Sequence, residues 1–471
     1  MFTFLIDTYD AIGGAGPSLF MGFFLYVWAL WTAKALAARR YRPSTGGASG
    51  VTTSVIVPVY EEPESVFRRA LASVVANHPG ELIAVVDGGN PEVAAVAHDY
   101  CDRVLRIPKS GKRVAIAAGL AATDPTTDVV VVLDSDTVWE RDALQEMLRP
   151  FADPRVGGVT PRQAIFDVGT NPVRRFADWL EDLRYHLTVP AQSVFGQVGC
   201  LAGRTIAYRR SAFEPAVERL VRQTFFGVPL HVGDDRVLTN ELLRNGWRTV
   251  YQSTAHVTTD APCDWWTFWK QQLRWGRSSQ RETLLSLRWL WRRPVAFLSF
   301  LTDIVTPFAL YAVAILAVAH AARGVGGPTG FPLPVELAVG YAGMLVSIGV
   351  RQIPHFRRSP ADIRRLPLFV LQLTFLMAPI RIAAFATMLH QGWATRGSAS
   401  RVGLRIGSMR LRLPAVAPRL AAAFIVASIA APGAMLVSVS RAHSSVPGAS
   451  AREDTGQEVI LEAPSAEPPH R

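Results

Sequence analysis

The stretch VVVVLDSDT, residues 129 to 137, decides how this chain folds. Val129 to Leu133 is apolar at every position rather than at alternate ones, which marks a strand covered on both faces. It then stops on two carboxylates, Asp134 and Asp136. Three similar runs precede it: Ser54–Tyr60 (SVIVPVY), Leu82–Asp87 (LIAVVD) and Val104–Pro108. Between them lie helix-like stretches at Glu64–Asn77, Pro91–Tyr100 and Lys112–Ala122. Strand and helix in alternation predict an α/β fold with a mostly parallel sheet, helices on both faces and a ligand site at the carboxyl ends of the strands.

Acidic residues stand at those ends. Asp87 closes the second run in VVDGG, and Asp-Gly is also a good turn former, so Asp87 alone divides evenly between turn and ligand. Asp134-x-Asp136 leans to function, because two converging carboxylates after a buried strand suit Mg²⁺ or Mn²⁺ bridging a diphosphate. Further on, Gly233-Asp234-Asp235-Arg236 opens the helix-like DRVLTNELLRNG; an N-cap aspartate is the plain alternative there. WWTFWKQQLRW, residues 265 to 275, sets Gln271, Arg274 and Trp275 at helical spacing. Tryptophan faces suit sugar rings and arginine suits a diphosphate, while an amphipathic helix at a membrane surface is the alternative.

Outward from this segment the composition changes. The chain has 471 residues, 49 % of them hydrophobic. Pro17–Ala38 is long and apolar enough to cross a bilayer, and further apolar stretches follow at Phe297–Ala321, Val335–Val350, Leu366–Met388 and Leu420–Val439. A signal peptide fits the first stretch poorly, since basic residues follow it and no small-residue cleavage site does. The net charge of +11 does not imply nucleic acid, because the arginines cluster in short loops beside apolar segments: Arg39, Arg40 and Arg42, Arg351 to Arg365, Arg396 to Arg419. That positive-inside pattern predicts an N-terminus outside the cell membrane and a cytosolic domain. Pro379 and Arg381 interrupt Leu366–Met388, which leaves open whether it spans or re-enters. Cys101, Cys200 and Cys263 form no CxxC pair, so neither zinc nor a disulfide framework is indicated. Thr283–Arg293 (TLLSLRWLWRR) reads as an interfacial amphipathic helix, and the tail from Ser444 as disordered.

Taken in order, Tyr60 and Glu62 in PVYEE, Asp87 in VDGG, Lys112 in GKR, Asp134-Ser135-Asp136, Gly233-Asp234-Asp235-Arg236 and Gln271-Gln272-Leu273-Arg274-Trp275 resemble the processive family 2 glycosyltransferases, hyaluronan synthases most of all. Phe375–Arg396 resembles their membrane segment ending in WGTR. The resemblance implies a GT-A type catalytic domain at 52–282 joined to an α-helical multi-pass membrane domain: an anchor and basic flank at 1–42, and interfacial and transmembrane helices at 283–440 forming a polymer channel, before a tail at 441–471. It also implies roles. Tyr60 and Glu62 would hold the uracil, Asp87 and Asp134 the uridine, and Asp136 with Asp134 the metal, Mg²⁺ or Mn²⁺. Lys112 would lie near the nucleotide and Arg274 would neutralise the diphosphate. Gln271 and Trp275 would line the acceptor end, and Asp235, beside Asp234, would be the general base. The implied donors are UDP-GlcNAc, UDP-GlcA or both, and the acceptor is a growing polysaccharide. Two departures bear on substrate identity: one span precedes the domain where hyaluronan synthases usually have two, and Gly199-Cys200-Leu201-Ala202-Gly203-Arg204, leading to Tyr208-Arg209, replaces their SGPL-like acceptor-side segment. Chitin-like or β-glucan synthesis, single-sugar transfer to a lipid carrier, and an inactive scaffold are the competing functions.

Overall fold

The computed structural model describes residues 16–47, 50–322, 332–391, 404–406 and 409–411. The expected strands are there as β1 (Thr53–Val59), β2 (Glu81–Asp87), β3 (Arg103–Ile107) and β4 (Val129–Leu133). They are followed by β5 (Thr137–Trp139), β6 (Val156–Ile165), β7 (Thr205–Arg209), the short hairpin β8 (Thr224–Phe225) with β9 (Val228–Pro229), and β10 (Arg248–Thr259). One eight-stranded sheet runs in the order β3-β2-β1-β4-β7-β6-β10-β5. Its first four strands are parallel, joined through the helices Glu64–Val75, Pro91–His98 and Lys112–Ala122. The second half differs from the mostly parallel expectation. β7 lies antiparallel to both β4 and β6, and β5 antiparallel to β10, while β6 and β10 are parallel.

The all-apolar runs are buried as their pattern requires. β1 and β4 are inaccessible along their whole lengths, and alternate residues enter opposite layers: Val55, Val57 and Val59 pack with Phe67 and Leu71, whereas Ile56 packs with Ile116 and Leu220. Pro58 breaks no ladder bond to β4, because β4's partners on β1 end at Ile56. The helix Lys112–Ala122 lies so close to β1 that a β-carbon on Gly119 would stand 2.4 Å from Ile56 Cγ2 and 3.2 Å from Val85 Cγ2. Gly119→Ala is therefore expected to destabilise the protein by about 1–3 kcal/mol through overpacking, read as a lower thermal midpoint. An unchanged midpoint would mean that the helix can lift off β1 at no cost.

Among the described residues, three helices are long and apolar enough to cross a membrane: Met21–Arg39, Pro294–Ile315 and Pro360–Ala386. Leu337–Arg351 is a shorter apolar helix. Within Leu366–Met388, residues Leu366–Ala386 form one helical rod with a π-helical stretch at Leu373–Met377 just before Pro379, where the ring displaces the regular bonding. The expected break at 282 is absent. Trp265–Leu290 is a single 26-residue helix, so Thr283 continues the helix of Trp275 rather than starting an interfacial one. Leu420–Val439 and the tail from Ser444 lie outside the described residues.

The helix Trp265–Leu290 packs along Ala378–Ala386. Gly276 permits the approach, since a β-carbon there would sit 2.8 Å from Ala384 Cβ. Polar bonds continue the seam: Arg277 Nε donates to Thr387 Oγ1 at 2.9 Å, Gln280 Nε2 to the Arg381 carbonyl at 2.8 Å, and an Arg281 Nη1–H to the Met388 carbonyl at 2.7 Å.

Candidate active site

The parallel strands deliver their carboxylates to one edge. Asp87, the last residue of β2, accepts the backbone N–H groups of Ser110 at 2.6 Å and Gly111 at 2.9 Å. The turn role is thus real, but its effect is to seat the start of the helix Lys112–Ala122, whose N-cap Gly111 has φ 90°. Lys112 then reaches across the edge, with Nζ 2.6 Å from Asp134 Oδ1 and 2.9 Å from Asp234 Oδ2. Burial disfavours its charge, but the two carboxylates outweigh burial and hold its pKa above the usual lysine value. Asp234 is the counterpart: burial pushes its pKa up, Lys112 more than cancels this, and the net shift is downward.

Asp234 and Asp235 fill the first turn of the helix Asp234–Arg244, and neither is its N-cap, which corrects the plain alternative. The cap is Gly233 at φ 87°, a conformation that side chains rarely adopt. A β-carbon there would also fall 1.8 Å from Ser278 Oγ, so the Trp265–Leu290 helix presses this turn into place. The aspartates are free of capping and make other contacts. Asp235 Oδ1 accepts the Arg236 N–H at 2.7 Å, Oδ2 accepts the Gly203 N–H at 3.3 Å, and Cys200 Sγ stands 3.9 Å from Oδ2. Burial, then the neighbouring Asp234, raises its pKa above the ordinary carboxylate range.

Asp136 sits deeper. Thr259 Oγ1 lies 3.3 Å from its Oδ1, and burial together with Asp134 and Glu62 pushes its pKa up to about 7, against the opposing charge of Arg204. Glu62 accepts a bond from Ser135 Oγ at 2.9 Å. Glu62, Asp134 and Asp136 therefore form a crowded set of hard oxygen donors whose mutual repulsion a divalent cation would relieve, which is the donor chemistry of Mg²⁺ or Mn²⁺. Tyr60, following β1, has its hydroxyl 2.5 Å from Lys109 Nζ, which also lies 4.4 Å from the ring centroid.

Gln271, Arg274 and Trp275 share the Trp265–Leu290 helix, with Gln271 four residues before Trp275 and so on the same face. The Trp275 side chain is partly exposed, and the Arg204 guanidinium carbon lies 5.7 Å from its ring centroid. Interactions of known geometry thus join Glu62, Asp134, Lys112, Asp234, Asp235 and Trp275 through Ser135, Gly203 and Arg204. Arg204 and Gly203 belong to the departing segment Gly199–Arg204. Glu181, which pairs with Arg204 at 2.9 Å, carries no signal in the sequence. Trp393 to Arg396, the WATR match, lies outside the described residues.

Asp178, Asp182 and His355 are also close enough to share an ion. That place is already filled, because the Arg358 guanidinium pairs with both aspartates, and His355 bridges Asp182 at 2.8 Å and Asp362 at 3.2 Å. It is a buried ion-pair joint between the helix Pro172–Leu183 and residues 353–365.

Residues 50–278 match the family described as glycosyltransferase like family 2, so the chain contains a family 2 glycosyltransferase domain, and that domain has a GT-A fold. It is similar to the hyaluronan synthase of Streptococcus pyogenes, 29 % identical over 374 residues that cover 76 % of this chain and 86 % of that one. It is also similar to an N-acetylglucosaminyltransferase of Azorhizobium caulinodans, 35 % identical over 249 residues, 50 % of this chain and 61 % of the relative. Among solved structures, a mannosyltransferase from Pyrobaculum calidifontis in complex with GDP-Man and Mn²⁺ shares the fold, with TM-score 0.51 and 18 % identity over 80 % of this chain and 99 % of that one.

Proposed function

We propose that this enzyme is a membrane-embedded, inverting β-glycosyltransferase that elongates and extrudes a polysaccharide of hyaluronan type from UDP-sugars. The observation that carries the reading is the Gly203–Arg204 dipeptide. The Arg204 carbonyl accepts the Asp134 N–H at 2.9 Å, and the Gly203 N–H reaches Asp235. One residue step therefore separates the donor-side carboxylates from the base.

Tyr60, Glu62, Asp87 and Asp134 are assigned to the nucleoside, with Lys112 beside it. Asp136 and Asp134 would hold Mg²⁺ or Mn²⁺, which when bound supplies positive charge to the diphosphate. Asp235 takes the proton of the acceptor hydroxyl while that oxygen bonds to the anomeric carbon from the face opposite UDP. The bond from that carbon to the phosphate oxygen breaks, its electron pair leaves with UDP, and Arg274 stabilises the charge that develops. Inversion converts an α-linked donor into a β-linked product. The pKa of Asp235, raised by burial and by Asp234, makes it a stronger proton acceptor than an exposed carboxylate. Trp275 and Gln271 line the acceptor side.

On this reading the catalytic domain, about 52–282, lies in the cytosol with the N-terminus outside, and the described apolar helices between 294 and 386 form the exit path as well as the anchor. Similarity to an N-acetylglucosaminyltransferase favours a second reading, a chitin-like polymer built from one donor. Membranes incubated with single and paired UDP-sugars and Mg²⁺ or Mn²⁺ decide between them. A polymer that forms only when UDP-GlcNAc and UDP-GlcA are both present is the expected result; a polymer from UDP-GlcNAc alone replaces the hyaluronan-type reading with the chitin-like one.

A further inference from the structure

Arg204 immediately precedes β7, at the place where that strand meets the tip of β4. Its carbonyl is tied to Asp134 and the preceding N–H to Asp235, so the side chain leaves the backbone from a root fixed on both sides. Three interactions of the guanidinium bear on this site. Nη2 lies 2.9 Å from Glu181 Oε1. The guanidinium carbon lies 5.7 Å from the Trp275 centroid, inside the roughly 6 Å reach of a cation–π contact. Its charge also opposes the repulsion on Asp136.

The ion pair is unusual in one respect. Arg204 Nη1 and Glu181 Oε2 are both buried without a hydrogen-bond partner, so two groups able to form a two-pronged contact form one prong. Their side chains are only 13 % and 11 % exposed. A pair desolvated to this degree and incompletely satisfied is a poor source of stability. What it does achieve is restraint: Glu181, on the helix Pro172–Leu183, braces a planar cation against an otherwise partly exposed indole.

We propose that Arg204, braced by Glu181, is a positioning residue for Trp275 that sets where the terminal sugar of the acceptor stops relative to Asp235. The inference rests on the reading of Trp275 as the acceptor platform. It explains why a guanidinium stands here, since a lysine would keep the charge but lose the planar face and the fork.

The test uses the full-length enzyme in membranes, UDP-GlcNAc with UDP-GlcA as donors, and hyaluronan oligosaccharides as added acceptor. Arg204→Ala is expected to raise the acceptor KM about fivefold, the scale of one partly buried cation–π contact, with donor KM changed less than about twofold and shorter product. Arg204→Lys should recover part of the loss. Glu181→Gln should move acceptor KM in the same direction, and the double variant should be no worse than Arg204→Ala, because the two act as one unit. Should Arg204→Ala fail to accumulate, Arg204→Lys and Glu181→Gln carry the test. Trp275→Ala is measured alongside. If it leaves acceptor KM unchanged, the platform reading falls and this inference with it. If it raises acceptor KM while the Arg204 and Glu181 variants do not, only the inference falls. Equal rises in donor and acceptor KM would also overturn it, since they place Arg204 at the nucleotide.

Discussion

Asp235→Asn is expected to lower the rate of sugar transfer by about 10²–10⁴-fold while UDP binding is retained. The substitution keeps the shape of the side chain and an oxygen for the Gly203 and Arg236 N–H groups, but removes the carboxylate proposed to take the acceptor's proton. The pH profile supplies a second check. Because the pKa of Asp235 is raised, its carboxylate form accumulates only as pH climbs through that value, so the wild-type rate should rise with pH over the same interval and then level. The residual activity of Asp235→Asn should lack this rise. Transfer within about tenfold of wild type in the asparagine variant would remove Asp235 as base and direct attention to Asp234, which Lys112 holds ionised.

Asp136→Ala is the second large effect. If Asp136 is a metal ligand, its loss removes several kcal/mol of charge stabilisation, on the order of a thousandfold in rate. The variant should also lose the dependence of UDP binding on added Mn²⁺, which titration calorimetry reads without any turnover. Folding should not suffer. Asp136 carries a carboxylate made unfavourable by burial and by Asp134 and Glu62, so replacing it relieves repulsion rather than breaking a strong pair. Retention of metal-dependent transfer by Asp136→Ala would exclude it as a ligand.

The parallel half of the sheet was legible because its information is local. Val129–Leu133 and Ser54–Tyr60 are apolar at every position, and such runs followed by Asp or Tyr name both the strand and its tip. The same locality gave Asp87, Asp134 and Asp136, since a residue directly after a buried strand lies at the sheet's edge. The antiparallel half was not legible. β6 contains Gly157, Gly158 and Pro161, and β7 is five residues inside a longer connection, so neither shows a clear period. Their places depend on pairing across long sequence separations, such as Leu133 with Thr205. Glu181 was missed for the same reason: on its own helix it is an ordinary acidic residue, and only the arrival of Arg204, just before β7, gives it a role. The continuity of the helix across 282 is not legible because arginine and tryptophan beyond Thr283 change the helix's surroundings without interrupting its backbone.

The 26-residue helix from Trp265 to Leu290 has a practical meaning for anyone who handles this enzyme. Trp275 and Arg281 are six residues apart, about 9 Å along one rigid axis. Arg281 is fastened to the Met388 carbonyl, and Gly276 rests on Ala384, within an apolar rod that ends in the candidate span Pro360–Ala386. A fragment cut at 282 would keep the carboxylates yet shear the spine on which the tryptophan is mounted. If Trp275 is the acceptor platform, detergent choice and lipid chain length belong among the kinetic variables of this protein, because the candidate span Pro360–Ala386 is the footing of that platform.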